Sequence, residues 1–305
     1  MSITREFVEN SARDLKVTSQ DSLRLRVMTF NVLAQGLSSN SFIKCPPEAL
    51  DYEKRLDGIV KEISSFSPDL VCLQEVDMHS QLTARLPEYM SYWSPKVSSP
   101  CLNVADNIGP DGSAILCKTS TLKILSQHTV TLQADGVPCN QILVAANVKL
   151  RNGHKVLLIC LHLKAKKPFA DLRQQQGLHT LDFFKSKQAE CDSVIIAGDL
   201  NSEPEEPVHK LLESSGFESS YVAVTGKQPA YTTCKYRSVE GAEVKQCKVE
   251  DYIYAKNLSA KHKLIVDRIL EVPPETALGE GRLPSMHYPS DHLSMVADYA
   301  SIVEP

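Results

Sequence analysis

The chain has 305 residues, with Lys plus Arg at 33 and Asp plus Glu at 37, for a formal net charge of −4. Apolar residues make up 42% and charged residues 23%, the balance of a globular domain, which excludes a disordered tail, a collagen and a coiled coil. The longest strongly apolar run, Val156 to Leu163, falls far short of the ~20 residues of a membrane-spanning helix, and an acidic net charge leaves any grip on phosphates to a local cluster of cations.

Residues 1–23 read as a polar, flexible lead-in. Met1 to Gln20 has no apolar core for secretion, and Glu6, Glu9 and Asp14 count against a mitochondrial transit peptide, so a cytoplasmic location is expected. Leu23, Leu25 and Val27 then alternate with polar partners before the run turns apolar, which predicts a strand through Val32. Pro46-Pro47-Glu48 opens a helix, because proline suits a first turn and acids suit its positive end. Tyr52, Leu56, Ile59, Val60 and Ile63 carry it on at helical spacing. Ser67-Pro68 ends it, and Asp69 to Glu75 reads as a buried strand.

The middle is rich in strands: Ser113 to Cys117, Leu122 to Leu132, Gln141 to Leu150 and Lys155 to Leu163, the last two joined by an Asn152-Gly153 hairpin signal. A helix over Ala170 to Ser186 follows, with Leu178, Leu181 and Phe184 on one face. Ser193 to Asp199 is another buried strand and Pro207 to Ser215 a short helix. Further strands are expected at Val249 to Tyr254, Leu264 to Leu270 and Leu293 to Tyr299. Helices separated by groups of strands favour α+β layers, with sheets packed face to face and helices outside, over regular βαβ winding. No linker divides residues 24–305, which are read as a single domain. The nine cysteines show no CxxC spacing and several lie in apolar runs, which predicts a reducing compartment, no disulfides and no zinc site.

Polar residues recur where apolar strands stop: Asn31, Glu75, His162, Gly198-Asp199-Leu200-Asn201, Asp251 and Ser290-Asp291-His292. Singly, each has an ordinary structural reading, as a turn residue, a cap or a satisfied buried histidine. Together they offer hard oxygen donors without paired cysteines, a set suited to Mg²⁺ or Mn²⁺.

In their order along the chain, Thr29-Phe-Asn31, Leu73-Gln-Glu-Val76, His162-Leu-Lys164, Gly198-Asp-Leu-Asn201, Asp251-Tyr-Ile253 and Ser290-Asp-His292 resemble the exonuclease–endonuclease–phosphatase superfamily. Segments such as Lys44-Cys45-Pro46, Ser99-Pro100-Cys101-Leu102 and Tyr231-Thr-Thr233 narrow the resemblance to its deadenylase-like branch, over about residues 24–300. The resemblance implies an α+β fold of two packed mixed β-sheets flanked by helices, with metal-dependent phosphoester hydrolysis at one end of the sandwich. It implies Glu75 as the principal Mg²⁺ ligand, with Asn31 and Asp291 completing or orienting the shell. It implies Asp199 as the base that activates water, Asn201 beside it, and His292, oriented by Asp251, with His162 as donors to the phosphate. Lys96, Lys164, Lys166 and Arg237 become candidate phosphate grips and Asn140 a substrate contact.

That branch contains both single-phosphate phosphatases and enzymes that shorten poly(A). Within that branch the members this chain resembles are associated with removing the 2′-phosphate of NADP⁺ and NADPH to give NAD⁺ and NADH, which is the activity the resemblance implies. The acidic net charge, favouring a compact ligand over a long polyanion, leans the same way. A 3′-exonuclease releasing AMP from poly(A) RNA is the alternative, and a nucleotide-binding scaffold of weak activity the second. Lys166 stands where related sequences carry Arg, and Cys234 where they carry Trp. Both changes bear on affinity rather than on the chemistry, since Lys cannot make the two-pronged phosphate contact of Arg.

Overall fold

A computed structural model describes residues 3–11, 23–38, 42–105 and 107–304. Along the chain run β1 (Phe7–Glu9), β2 (Leu23–Asn31), α1 (Gln35–Ser38), α2 (Tyr52–Phe66), β3 (Leu70–Gln74), α3 (His79–Ala84), β4 (Tyr89–Pro95), β5 (Gly112–Lys118), β6 (Leu122–Ala134), β7 (Val137–Leu150) and β8 (Lys155–His162). They are followed by α4 (Ala170–Lys187), β9 (Ser193–Asp199), α5 (Pro207–Ser214), β10 (Glu218–Ser219), α6 (Ser220–Thr225), β11 (Thr233–Val239), β12 (Ala242–Lys248), β13 (Asp251–Asn257), β14 (His262–Leu270) and β15 (Met295–Val303).

Two mixed sheets form, in the orders β1-β14-β15-β2-β3-β5-β4 and β10-β13-β9-β8-β7-β6, with β11-β12 as a separate hairpin. Side chains from both inner faces interdigitate between them, among them Val27, Cys72, Ile115, Ala146, Leu158, Ala197 and Met295. The outer face of the first sheet packs on Leu56, Ile59 and Ile63 of α2. That of the second packs on Leu181 and Phe184 of α4 and Val208 and Leu212 of α5. The strands are apolar on both faces because both faces are covered, which is why they read as continuous apolar runs.

The parallel pairs β2–β3 and β8–β9 sit one in each sheet. Their carboxyl ends, and the polar residues that terminate them, come together at one end of the sandwich. Below them Gln74, fully buried, links the sheets through Thr29 Oγ1 (3.1 Å) and Cys160 Sγ (3.3 Å).

The sequence expectations need several corrections. The helix start at Pro46 is a separate 3₁₀ turn, Pro47–Leu50; α2 is capped anew by Asp51, whose carboxylate accepts the Lys54 N–H at 3.0 Å. Leu178 is 39% exposed, because the buried face of α4 is polar as well as apolar and includes Arg173, Gln176 and Thr180. The lead-in is partly built in: β1 pairs with β14, and Arg5 donates to the Ser294 backbone oxygen at 2.7 Å. The rest of the lead-in, residues 1–2 and 12–22, lies outside the described residues. Cys234 and Cys247 face one another across β11 and β12 and are disulfide-bonded, contrary to the expectation of none. A cross-strand register brought them together, and sequence spacing carries no trace of it. Among the described residues no helix is long and apolar enough to cross a membrane.

Candidate active site

The register of the second sheet sets three site residues in one row. His162 pairs with Asp199 across β8 and β9, and Asp251 pairs with Asp199 across β13 and β9. Gly198 makes the first pairing possible, since a Cβ there would lie 2.0 Å from the Leu161 carbonyl oxygen. The chain leaves β3 and β9 through left-handed turns at Glu75 (φ 57°) and Asn201 (φ 50°). Asn tolerates this conformation; Glu rarely adopts it, and such positions cluster where function demands them.

Asn31 sits between the two sheets. Its amide nitrogen donates to Asp199 Oδ2 at 2.9 Å and Glu75 Oε1 at 3.2 Å, and its oxygen accepts the Leu33 N–H at 3.0 Å. The second Glu75 oxygen accepts the Ala34 N–H at 3.3 Å. Asp199 Oδ1 accepts the Asn201 N–H at 2.8 Å. His162 Nε2 lies 3.6 Å from Asp199 and 3.9 Å from Glu75, and its buried Nδ1 has no partner.

His292 lies on the loop before β15. Its Nδ1 is 2.8 Å from Asp251 Oδ2, which also accepts the Thr232 hydroxyl at 2.6 Å. Its Nε2 is 3.9 Å from Asp199 and 4.0 Å from Asp291. Burial alone would lower its pKa, but Asp251, Asp291 and Asp199 outweigh that and push it up to about 10. Burial raises the Asp199 carboxyl against the pull of the His292 charge. Burial holds His162 well below its ordinary value, and the charges of Lys96 and His292 act in the same direction. The site therefore holds one charged imidazole and one neutral one, each nearly out of solvent.

The cations are divided. Lys235 Nζ donates to Asp291 Oδ2, and Arg237 stands 3.6 Å from the same oxygen. They hold Asp291 well below the usual carboxylate range although burial opposes them. Lys235 was not anticipated from the sequence, because the β11–β12 hairpin was not recognised there. Lys96 pairs with Asp111 at 2.5 Å. Lys164 lies over the Phe169 ring at 5.0 Å. Lys164 and Lys166 do not share a strand, since β8 ends at His162 and Lys166 turns at φ 83°. Asn140 clips the Ser98 backbone, accepting its N–H at 2.6 Å and donating to its carbonyl at 2.7 Å.

The donor set fits a hard divalent cation. Glu75 keeps lone pairs beyond its two long hydrogen bonds, and its side chain is 17% exposed at the mouth. Asn31 and Asp291 are engaged by Glu75, Asp199 and Lys235, which puts them in supporting positions. Asp199, Asp251 and His292 also have ligand atoms within 4.8 Å of one another. His292 is a poor ligand there, because a charged imidazole has a proton on both nitrogens.

Comparison with known proteins agrees with this geometry. Residues 28–292 match the Endonuclease/Exonuclease/phosphatase family. The chain is 36% identical to Nocturnin of Mus musculus over 295 residues, covering 92% of this chain and 66% of that protein. It is 35% identical to Nocturnin of Xenopus laevis over 301 residues, covering 94% and 75%. The human Nocturnin catalytic domain with bound sulfate anion superposes with a TM-score of 0.75 at 30% identity, covering 97% of each chain. The relatives and the fold support phosphoesterase activity. The chain belongs to the endonuclease/exonuclease/phosphatase family.

Proposed function

We propose that this chain is a Mg²⁺-dependent phosphatase that removes the 2′-phosphate of NADP⁺ and NADPH. The observation that carries the reading is the hydrogen-bonded Glu75–Asn31–Asp199 array set beside a charged His292. A divalent cation bound at Glu75, with Mn²⁺ as the alternative to Mg²⁺, would polarise a phosphoryl oxygen and offset its developing charge.

The chain's own residues supply the rest. Asp199, its pKa raised by burial, accepts the proton of the attacking water, and the Asn31 amide and the Asn201 N–H fix its two oxygens. His292, held by Asp251, donates through Nε2 to a phosphate oxygen. His162, neutral, donates a second hydrogen bond from Nε2 in the matching tautomer. Lys96, Lys164, Lys166 and Arg237 bind the remaining phosphates, with Asn140 shaping the loop that bears Lys96.

A compact dinucleotide is favoured over a long RNA by the net charge of −4. The competing reading is a 3′-exonuclease on poly(A). It has a relative in the 3′-5′-exoribonuclease subunit Ccr4 of Schizosaccharomyces pombe, 21% identical. Incubation with NADPH and, separately, with an adenosine oligomer tests the proposal, with phosphate and AMP as readouts. Phosphate release from NADPH is expected; efficient AMP release with NADPH untouched would replace it by the exonuclease reading.

A further inference from the structure

Arg55, 1% exposed, is with Arg173 one of two arginines buried in the core, and none of the chemistry above uses it. It projects from the first turns of α2 into the space beneath the site. Its Nε donates to the Pro289 carbonyl oxygen at 2.8 Å. Its Nη2 donates to the carbonyls of Val32, at 2.6 Å, and of Leu33. Its Nη1 donates to Gln35 Oε1 at 2.6 Å. One planar guanidinium thus ties two loops far apart in sequence. The first, residues 32–35, follows Asn31 and carries the Ala34 N–H that holds Glu75. The second begins at Pro289 and leads into Ser290, Asp291 and His292. Ser290 completes the join by donating its hydroxyl to the Asn31 carbonyl at 2.6 Å.

Burying a guanidinium is unfavourable unless every donor is met. Burial pulls the Arg55 pKa down to about 10, with Asp77, Asp291 and Glu75 acting against it, so it stays charged. An apolar side chain of similar volume would fill the space without that penalty. What it could not do is grip backbone carbonyls of both loops at once. Lys, a point donor on a flexible stem, lacks the fork that spans them.

We propose that Arg55 is a positioning residue that sets the register between the Glu75–Asn31 side of the site and the Asp291–His292 side. It touches no substrate and acts through Ala34 and Pro289. The inference rests on the phosphoesterase reading of the site, and one of its two readouts, Mn²⁺ binding, needs no substrate.

The experiment compares the unmutated chain with Arg55→Lys, Arg55→Met and Leu56→Ala. Leu56 is the adjacent core residue on α2, 1% exposed and packed in the apolar cluster on the outer face of the first sheet, and serves as the stability control. Mn²⁺ affinity is read by loss of the free-ion paramagnetic resonance signal. Turnover is read on NADPH or on an adenosine oligomer, whichever the unmutated chain cleaves. Arg55→Met should weaken Mn²⁺ binding by roughly 10–100-fold, the usual effect of removing an outer-shell support. Its kcat should fall comparably, with KM little changed. Arg55→Lys should recover part of both losses. Leu56→Ala should lower the melting temperature while Mn²⁺ affinity and kcat hold.

Folded Arg55 variants with unchanged Mn²⁺ affinity and kcat would overturn the assignment. So would a Leu56→Ala protein that loses both to the same degree. Should the Arg55 variants not fold, Gln35→Met removes one of the bonds and should weaken Mn²⁺ binding several-fold; no change there also counts against the proposal. If the unmutated chain cleaves neither substrate, the phosphoesterase reading falls while the Mn²⁺ comparison still decides the role of Arg55.

Discussion

Strand β8 has a buried histidine at each end. His154, in the turn that enters it, lies between two hydroxyls, Ser301 at 2.8 Å and Ser193 at 2.9 Å. His162, its last residue, has no partner at Nδ1 and stands 3.6–3.9 Å from two carboxylates. Burial lowers the pKa of both. Burial and a shifted pKa therefore do not separate a structural histidine from a functional one; the partners do. At His154 the fold has satisfied both nitrogens with neutral groups. At His162 it has left hydrogen-bonding capacity open beside charge, at the end of the sandwich where the strands stop.

The largest effect that would test this contrast is at the carboxylate facing His162. Asp199→Ala should lower kcat by ~10²–10⁴, the range of general-base catalysis, with folding retained by circular dichroism. Normal turnover would reduce Asp199 to a turn residue and remove the chemical meaning of the open end. Chelation or Glu75→Ala should likewise abolish turnover, and full activity under excess chelator would exclude a metal mechanism.

The two histidines invite a matched pair of substitutions. His162→Gln should lower kcat roughly 10–150-fold, the worth of one charge-assisted hydrogen bond of about 1.5–3 kcal/mol, at unchanged stability. His154→Gln should do the reverse: stability falls by about 1–3 kcal/mol, because two buried hydroxyls lose a partner, and kcat holds. Urea melts and steady-state rates on both proteins decide. If both variants lose activity alike, the contrast between the ends is wrong.

At the rim, Lys164→Ala should weaken NADPH binding by ~10-fold or somewhat more, and NADH binding much less, because only NADPH carries the extra phosphate. Equal losses on both would make Lys164 a general cation of the mouth. Restoring the family residue, Lys166→Arg, should hold or improve NADPH turnover.

Acid sensitivity tests the buried histidines without touching the chemistry. Burial pulls both His154 and His209 down to about 4, from ~6.5 in the unfolded chain. The unfolded state then binds more protons, so their contribution is complete above ~6.5 and is lost as pH falls toward 4. Each adds a slope of up to ~1.4 kcal/mol per pH unit in that window. Urea midpoints at pH 7, 6 and 5 should decline, and His154→Gln should flatten the decline. An unmutated chain with a constant midpoint would argue that these histidines are hydrated in the fold.

The strands that carry the site were legible because both their faces are buried, and runs such as Val156 to Leu161 show this directly. Asn31, Glu75, His162 and Asp199 stood out as polar residues ending such runs. The hairpin β11–β12 was not legible: Lys235, Tyr236 and Arg237 are only half-buried and alternate weakly, so Lys235 and the Cys234–Cys247 bond escaped notice. Arg55 was hidden for another reason. Within α2 it looks like a solvent-facing cation, and only tertiary structure turns it inward. The face of α4 was misread at Leu178 because the sheet's end demands polar partners there: Gln176 accepts the Lys164 N–H at 3.0 Å and Arg173 binds Glu206 at 2.6 Å.

The short strand β1 has a consequence for how the molecule meets its own copies. An open sheet edge is a template on which another chain can add a strand. Here that edge belongs to β14, and Phe7, Val8 and Glu9 occupy it, extended by Asn10 N–H to the Asp267 carbonyl and Glu271 N–H to the Glu6 carbonyl, each at 2.8 Å. The segment that reads as dispensable from its polarity is thus a molecular guard. A chain begun at residue 24 would keep every residue assigned to the site and yet present a bare seam to its neighbours, so its fault would show first as self-association rather than as lost chemistry.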